Sequence, residues 1–224
     1  MNKHSNLSQL KVPTRPGISS NTLLAAGIRF SDTPEPGSIE IPYHDLQGKP
    51  TGFCRWRLPR ERSDGQKYHQ DRDTGTRAYI PPQFREFAPG GDLVIGEGEL
   101  KALSLIDTGI KAIGLPSFNC YTRDDRNEPH LLEGIIEAVT HTKPARILFL
   151  GDRDTATNYE FARQAIFLSN ALAPLEVVLP RIPYVGPGKG IDDCRAALGA
   201  EFIPFWHGLV ESAEHSSPTQ APVR

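Results

Sequence analysis

Residues 92–115 read DLVIGEGELKALSLIDTGIKAIGL, and this stretch settles the architecture. Asp92 to Gly96 is a continuous apolar run of strand length, whereas Glu99 to Thr108 places Leu100, Leu103 and Leu105 or Ile106 at helical spacing. Gly109 follows the last periodic position, where helices commonly end, and Lys111 to Leu115 supplies a second apolar strand. A strand apolar on both faces, a helix and a second such strand form the parallel unit of α/β proteins.

The pattern repeats toward the C-terminus. Pro116 to Glu128 reads as a long polar loop, and Pro129 opens a helix (PHLLEGIIEAVTH) that stops before Pro144. Arg146 to Leu150 is the third strand, followed by GDRD and a helix from Ala156 to Leu172. The fourth strand, Leu175 to Leu179, leads through a Pro/Gly-rich loop to a short helix, Ile191 to Leu198, closed by Gly199. The expected class is therefore α/β: a four-stranded parallel sheet with helices on both faces and right-handed crossovers. In such sheets ligands bind beyond the carboxyl ends of the strands, so polar residues there carry the most weight.

Toward the N-terminus the chain changes character at Pro89-Gly90-Gly91. Before that point, strand-like runs at Ser38 to Pro42 and Gly52 to Leu58 flank HDLQGKP, which suits a hairpin turn. Between Lys49 and Arg77 there are eight Lys or Arg and four acids, a local excess of four positive charges. In an extended segment Arg55 and Arg57 share one face and Trp56 takes the other. The expected organisation is a flexible tail over 1–20, a small basic β-rich subdomain over 21–89, the α/β domain over 90–210 and a second flexible tail over 211–224.

Composition narrows the function classes. The 224 residues carry 25 Lys plus Arg and 27 Asp plus Glu, a formal net charge of −2, which excludes nucleic-acid binding through overall positive charge. Hydrophobic content of 38% is low and agrees with polar ends. Cys54, Cys120 and Cys194 are far apart with no CxxC pair, so reduced thiols are expected rather than disulfides or a zinc ribbon. No segment approaches the roughly 18 apolar residues of a membrane span. The N-terminus has no apolar stretch after its basic residues, so it does not read as a secretory signal. A cytoplasmic protein with no membrane partner is the expectation.

Three carboxylates stand where strands end: Glu97 after the first strand, and Asp152 and Asp154 after the third. With i, i+2 spacing in an extended turn the two aspartates can share one side, and Glu97 comes within reach if the strands are neighbours. Such oxygen donors suit Mg²⁺, or Mn²⁺, which is usually held by one or two carboxylates plus substrate phosphates. Taken alone, such a turn is usually a helix cap or a solvated loop, and it is two of them on one sheet rim that point to a site. Lys101, on the first helix, reads either as a counter-charge for phosphate or as an ordinary solvated lysine.

Together these residues resemble the TOPRIM domain, the metal-binding module of DnaG-type bacterial primases, topoisomerases and some nucleases. The segments IPYHDLQGKPTGFCRWRL and QKYHQDRDTGTRAYIPP are similar to the β-rich stretch that precedes TOPRIM in those primases. GPGKGIDDCRAALG resembles their "GKDPDE" loop, with Lys189, Asp192 and Asp193 at the matching positions, Ile191 standing where the family has Pro, and TATN replacing a "DAAG" tail after the second Asp. The collinear likeness spans roughly Ile39 to Gly199 and looks most like the primase-like domains of plasmid, phage and other mobile-element replication proteins.

The resemblance implies a primase-like nucleotidyltransferase. Glu97, Asp152 and Asp154 would hold the metal and be catalytic, with Glu99, Asp192 and Asp193 as secondary acids. Arg55, Arg57, Lys67, Tyr68, Lys101 and Lys189 would bind nucleic acid or nucleotide, with Trp56, Tyr68 or Tyr79 available to stack on bases. The implied partners are a single-stranded DNA template and nucleoside triphosphates, with a helicase or other replication protein as a further one. The rival readings are a TOPRIM nuclease and a non-catalytic nucleic-acid-binding accessory subunit.

Overall fold

The computed structural model describes residues 12–125, 128–182 and 187–214. The parallel sheet comprises β5 (Asp92–Glu97), β6 (Ala112–Leu115), β9 (Arg146–Leu150) and β10 (Glu176–Val178), in the order β10-β9-β5-β6. Its helices are α2 (Glu99–Ile106), α3 (Glu133–Thr142), α4 (Tyr159–Ala171) and α5 (Ile191–Leu198). The expected α/β class and all four strand–helix units are present. Gly96 pairs with Leu150, so β5 and β9 end level, and Glu97 emerges beside the turn that carries Asp152.

The N-terminal part is a second, antiparallel sheet of β1 (Arg29–Ser31), β2 (Ser38–His44), β3 (Pro50–Arg57) and β4 (Tyr68–His69), in sequence order. The β2–β3 hairpin turns through Asp45, whose carboxylate accepts from the backbone N–H groups of Gln47 and Lys49 at 2.9 and 2.8 Å. One apolar cluster runs through both sheets, from Ile41, Tyr43 and Phe53 to Leu93, Ile95 and Phe149. All three cysteines are free, as expected.

Four expectations change. The loop proposed for Pro116 to Glu128, and the helix start at Pro129, give way to a hairpin of β7 (Thr122–Asp125) and β8 (Glu128–Leu131). Leu132 N–H donates to the Tyr121 carbonyl at 2.9 Å and closes this hairpin, so α3 begins only at Glu133. Second, α4 starts at Tyr159 rather than Ala156, because Arg153–Thr157 is a 3₁₀ turn and the Asn158 side chain caps the helix by accepting from Glu160 N–H. Third, a helix that the sequence reading missed, α6 (Phe202–Glu214), buries Phe202, Trp206, Leu209, Val210 and Ala213 along one face. The four larger of these side chains each contribute about 1.5–3 kcal/mol, so the helix runs on to Glu214; residues 215–224 of the expected tail lie outside the described residues.

The fourth change concerns the N-terminal segment. Of the expected tail, residues 1–11 lie outside the described residues, but 12–20 are tied down. Val12 and Ile18 pack on the core, and the Gly17 carbonyl accepts from Ser104 Oγ at 2.7 Å and from Arg195 at 2.8 Å. Gly17 has φ +73°, and a Cβ there would fall 2.3 Å from the Asp192 carbonyl oxygen. Ser19 caps α1 (Ser20–Ala25), and its N–H and Oγ donate to Asp107 at 2.9 and 2.6 Å. Polar groups of Gly17 and Ser19 thus tie this segment to distant parts of the chain.

Asp107 gathers these contacts. Burial opposes its ionisation, but bonds from Ser19, Thr22 and Arg195 outweigh that and bring its pKa down to about 2. A carboxylate depressed from about 3.9 contributes about 2 kcal/mol to stability above the unfolded value. That contribution is lost as pH falls from about 4 toward 2. We expect Asp107→Asn to lose about 2 kcal/mol near neutral pH and to flatten this acid limb, measured by urea unfolding across the range.

Candidate active site

The carboxyl edge of the parallel sheet is closed by two tight turns. After β5, Gly98 adopts φ +97° and leads directly into α2, and β6 approaches so closely that a Cβ on Gly114 would lie 2.8 Å from the Gly98 carbonyl oxygen. After β9, a Cβ on Gly151 would strike Thr155 Oγ1 at 2.3 Å, and Thr155 N–H donates to the Asp152 carbonyl at 2.9 Å. Local backbone packing thus presents Glu97, Asp152 and Asp154 on one rim.

Two lysines lie among these acids. Lys101 Nζ donates to Asp152 Oδ1. Lys189 Nζ lies 3.6 Å from Asp152 Oδ2 and 3.2 Å from Asp154 Oδ2. Asp152 is 8% exposed, whereas the Asp154 side chain is largely in solvent. Burial pushes the Glu97 carboxyl up; Lys101 opposes this, and Asp152 and Asp154 add to it. Burial works against the Lys101 ammonium, but Asp152 outweighs it and raises its pKa. For Lys189 the hydrogen bond to Asp154 is the leading cause of a raised value.

The start of α5 covers this rim. Arg153 N–H donates to the Lys189 carbonyl at 2.9 Å, and a Cβ on Gly190 would fall 2.6 Å from Lys101 Cε and 3.4 Å from Asp152 Oδ1. Asp193 is used as the cap of this turn: its Oδ2 accepts from the N–H groups of Lys189 at 3.0 Å and Gly190 at 3.2 Å. Burial disfavours its charge, yet these two bonds prevail and its pKa is lowered. Burial raises the pKa of Asp192, with Lys101 opposing.

Glu99 is placed differently from the secondary acid of the sequence reading. It is 1% exposed, accepts from Tyr43 OH at 2.7 Å and pairs with Arg55. Arg55 is correspondingly drawn inside, its side chain 11% exposed, so it faces Glu99 rather than an open groove. Glu99 Oε2, Arg55 Nε and Tyr79 OH are buried with no hydrogen-bond partner. Tyr79 is fully buried, which removes it as a base-stacking residue.

Arg55 and Arg57 do share a face of β3. Their guanidinium carbons lie 4.8 and 5.6 Å from the centre of the Tyr68 ring, and Arg57 donates to Tyr68 OH at 3.1 Å. Burial raises the Tyr68 pKa and Glu99 adds to the shift. Lys67 pairs with Glu61 at 3.2 Å in solvent. Arg57 and Lys67 border a pocket of about 360 Å³ with Arg15, Arg60 and Glu61. The sequence reading missed Arg15 here, having placed it in a tail. The packing of Val12 and Ile18 and the hydrogen bonds that anchor residues 17–19 bring it in. A larger hollow, about 430 Å³ and bordered by His44, Arg77 and Glu137, shares no residue with the acidic rim.

The fit to a metal rests on donor chemistry. Among the described residues no group of three or more His, Cys, Asp or Glu side chains is arranged to hold a metal ion. Glu97 therefore does not join the two aspartates as a preformed triad. Asp152 and Asp154 nevertheless direct one oxygen each at a single cationic atom, the Lys189 ammonium. Two hard oxygen donors beside one positive charge are the donor type that hard divalent cations take, short of a complete set.

A four-stranded parallel sheet joined to an antiparallel sheet is the fold that the chain shares with two solved structures. The primase fragment of the bacteriophage T7 primase-helicase superposes with a TM-score of 0.54 at 17% identity, covering 89% of this chain and 77% of that one. A chain from the bacteriophage T7 lagging-strand DNA polymerase structure, in which primase domains of two gp4 subunits are bound to an RNA/DNA hybrid and dTTP, gives 0.53 at 16% identity and 92% coverage of both chains. By sequence, the chain belongs to the DUF3854 family, a domain of unknown function whose model matches residues 89–202. No curated protein matches it.

Proposed function

We propose that this chain is a primase-like nucleotidyl-transfer protein acting on nucleic acid, in the setting of mobile-element replication. The observation that carries the reading is the convergence of Asp152 and Asp154 on one cation, at the ligand-binding edge of a sheet whose fold is that of primase fragments. The phage source of both similar structures supports the mobile-element setting.

Asp152 and Asp154, with Glu97 beside them, would hold Mg²⁺ or Mn²⁺, which supplies alignment of nucleotide phosphates and neutralisation of developing charge. The reaction is attack of a 3′-hydroxyl on the α-phosphate of a nucleoside triphosphate, with release of pyrophosphate. Arg57 and Lys67, with Arg15 and Arg60, present positive charge to the phosphates of a strand or nucleotide. Such contacts make binding fall with salt. Arg55 and Glu99 hold the basic strand against α2 and do not touch substrate in this reading. Single-stranded DNA and nucleoside triphosphates are the proposed substrates, and a helicase or another replication protein is the proposed partner.

The purified chain, incubated with Mg²⁺ or Mn²⁺, single-stranded DNA and labelled nucleotides, is expected to make short oligonucleotides. Absence of product with either metal, across several templates, overturns the reading. Degradation of the DNA instead, lost in Asp152→Ala, identifies a nuclease.

A further inference from the structure

The larger hollow lies away from the acidic rim, where the end of β2, the loop at 74–78 and the start of α3 meet. Its volume of about 430 Å³ is within the range of small-ligand sites. Three carboxylates stand on its walls: Asp45 from the hairpin turn, and Glu133 and Glu137 one helical turn apart on α3. Burial raises the Glu137 pKa, and Glu133 and Asp45 add to the rise. None of the three has an ion pair with lysine or arginine among the described residues. Arg77, the cation on this wall, lies over the Phe53 ring at 4.8 Å instead.

Acids at a surface are commonly only solvated, but His44 is not at the surface. It forms part of the same wall, is 8% exposed, and its Nδ1 is buried with no hydrogen-bond partner. Burial lowers its pKa, with Asp45 opposing, so the ring is neutral near pH 7 and offers one acceptor nitrogen. A buried polar nitrogen without a partner is costly and rare. The hollow is the open space beside the ring from which a partner can come. Its walls hold acceptors in excess of donors, so the matching ligand is rich in donors, has no acceptor and carries positive charge. A guanidinium group meets all three requirements, with five N–H donors in one plane, and it can bridge two carboxylates a helical turn apart.

We propose that this hollow binds the guanidinium group of an arginine, with Glu133 and Glu137 pairing with its charge and His44 accepting from one N–H. The walls also select the source of that arginine. Three acids against one arginine leave them net negative, so they repel the carboxylate of a free amino acid and admit a side chain presented by a partner protein. The site stands apart from the nucleotidyl-transfer reading and does not depend on it.

The probe is N-acetyl-L-arginine amide, which presents the side chain without charged termini, followed by ¹H–¹⁵N NMR of the full chain. It is expected to bind with Kd of about 1 mM or tighter and to shift the N–H signals of Thr76 and Gly134, which border the hollow. N-acetyl-L-citrulline amide, similar in shape but uncharged, should bind at least about tenfold more weakly, and Glu137→Gln should weaken the arginine probe by a similar factor. His44→Leu, which keeps bulk but offers no acceptor, should weaken it about three- to tenfold. A variant counts only where its spectrum keeps the dispersion of the parent; the comparison of the two probes on the parent needs no variant.

No saturable shift at about 10 mM probe overturns the proposal and leaves the hollow to water. Equal binding of the citrulline probe, or shifts that avoid Thr76 and Gly134, also overturns it. Free L-arginine bound as tightly as the blocked probe overturns the assignment to a partner protein.

Discussion

Asp154→Asn is expected to lower nucleotide transfer by at least about 100-fold while changing folding stability by no more than about 0.5 kcal/mol. The two effects separate because of where Asp154 sits. Its side chain is 65% exposed and its ion pair with Lys189 is also in solvent, so folding gains little from it. Its oxygen is nonetheless one of the two that converge on a cation. Asp152 would give a less clean test, because it is buried against Lys101, and its loss strands that ammonium. Steady-state rates measured beside urea unfolding decide the matter. Activity within tenfold of the parent, at unchanged stability, would remove Asp154 from the reaction.

Glu99→Ala should have the largest effect on stability, a loss of about 3–5 kcal/mol, because it leaves Arg55 buried with no opposing charge. Tyr43 OH loses its acceptor at the same time. The pair joins β3 of the antiparallel sheet to the first turn of α2, so its loss weakens the contact between them while the shared apolar core remains. Glu99→Gln, which keeps an acceptor, should cost less. Pairing Glu99→Ala with Arg55→Met should recover much of the loss, since replacing both members of a buried pair by apolar groups is far milder than removing one. Denaturant midpoints of the three variants measure this, and a loss below about 1 kcal/mol for Glu99→Ala would show that the cluster is not a structural tie.

Much of the fold can be read from local signals. The apolar runs of β5, β6 and β9, and the helical spacing of Leu100 and Leu103, are properties of short windows. The hairpin over 122–131 was hidden because its strands depend on pairing with each other rather than on apolar alternation. The same holds for residues 12–20, whose Gly17 and Ser19 look like loop residues until Asp107, Ser104 and Arg195 arrive from distant parts of the chain. At the site, the carboxylates at strand ends were visible, but the role of each charge was not. Glu97 and Glu99 are two residues apart, yet one lies on the rim and the other is buried under Tyr43 and Arg55.

The sequence by itself determined the alternation of strands and helices, the acidic turns at two strand ends and the basic run from Lys49 to Arg77, because each depends on residue type and spacing alone. Only the tertiary structure decided which charges meet. The level ends of β5 and β9 bring Glu97 and Asp152 to one edge, and the approach of Gly190 sets Lys101 on Asp152 and Lys189 between the aspartates. Coulombic interaction depends on distance through space, and those distances come from strand register and backbone packing between segments up to about a hundred residues apart.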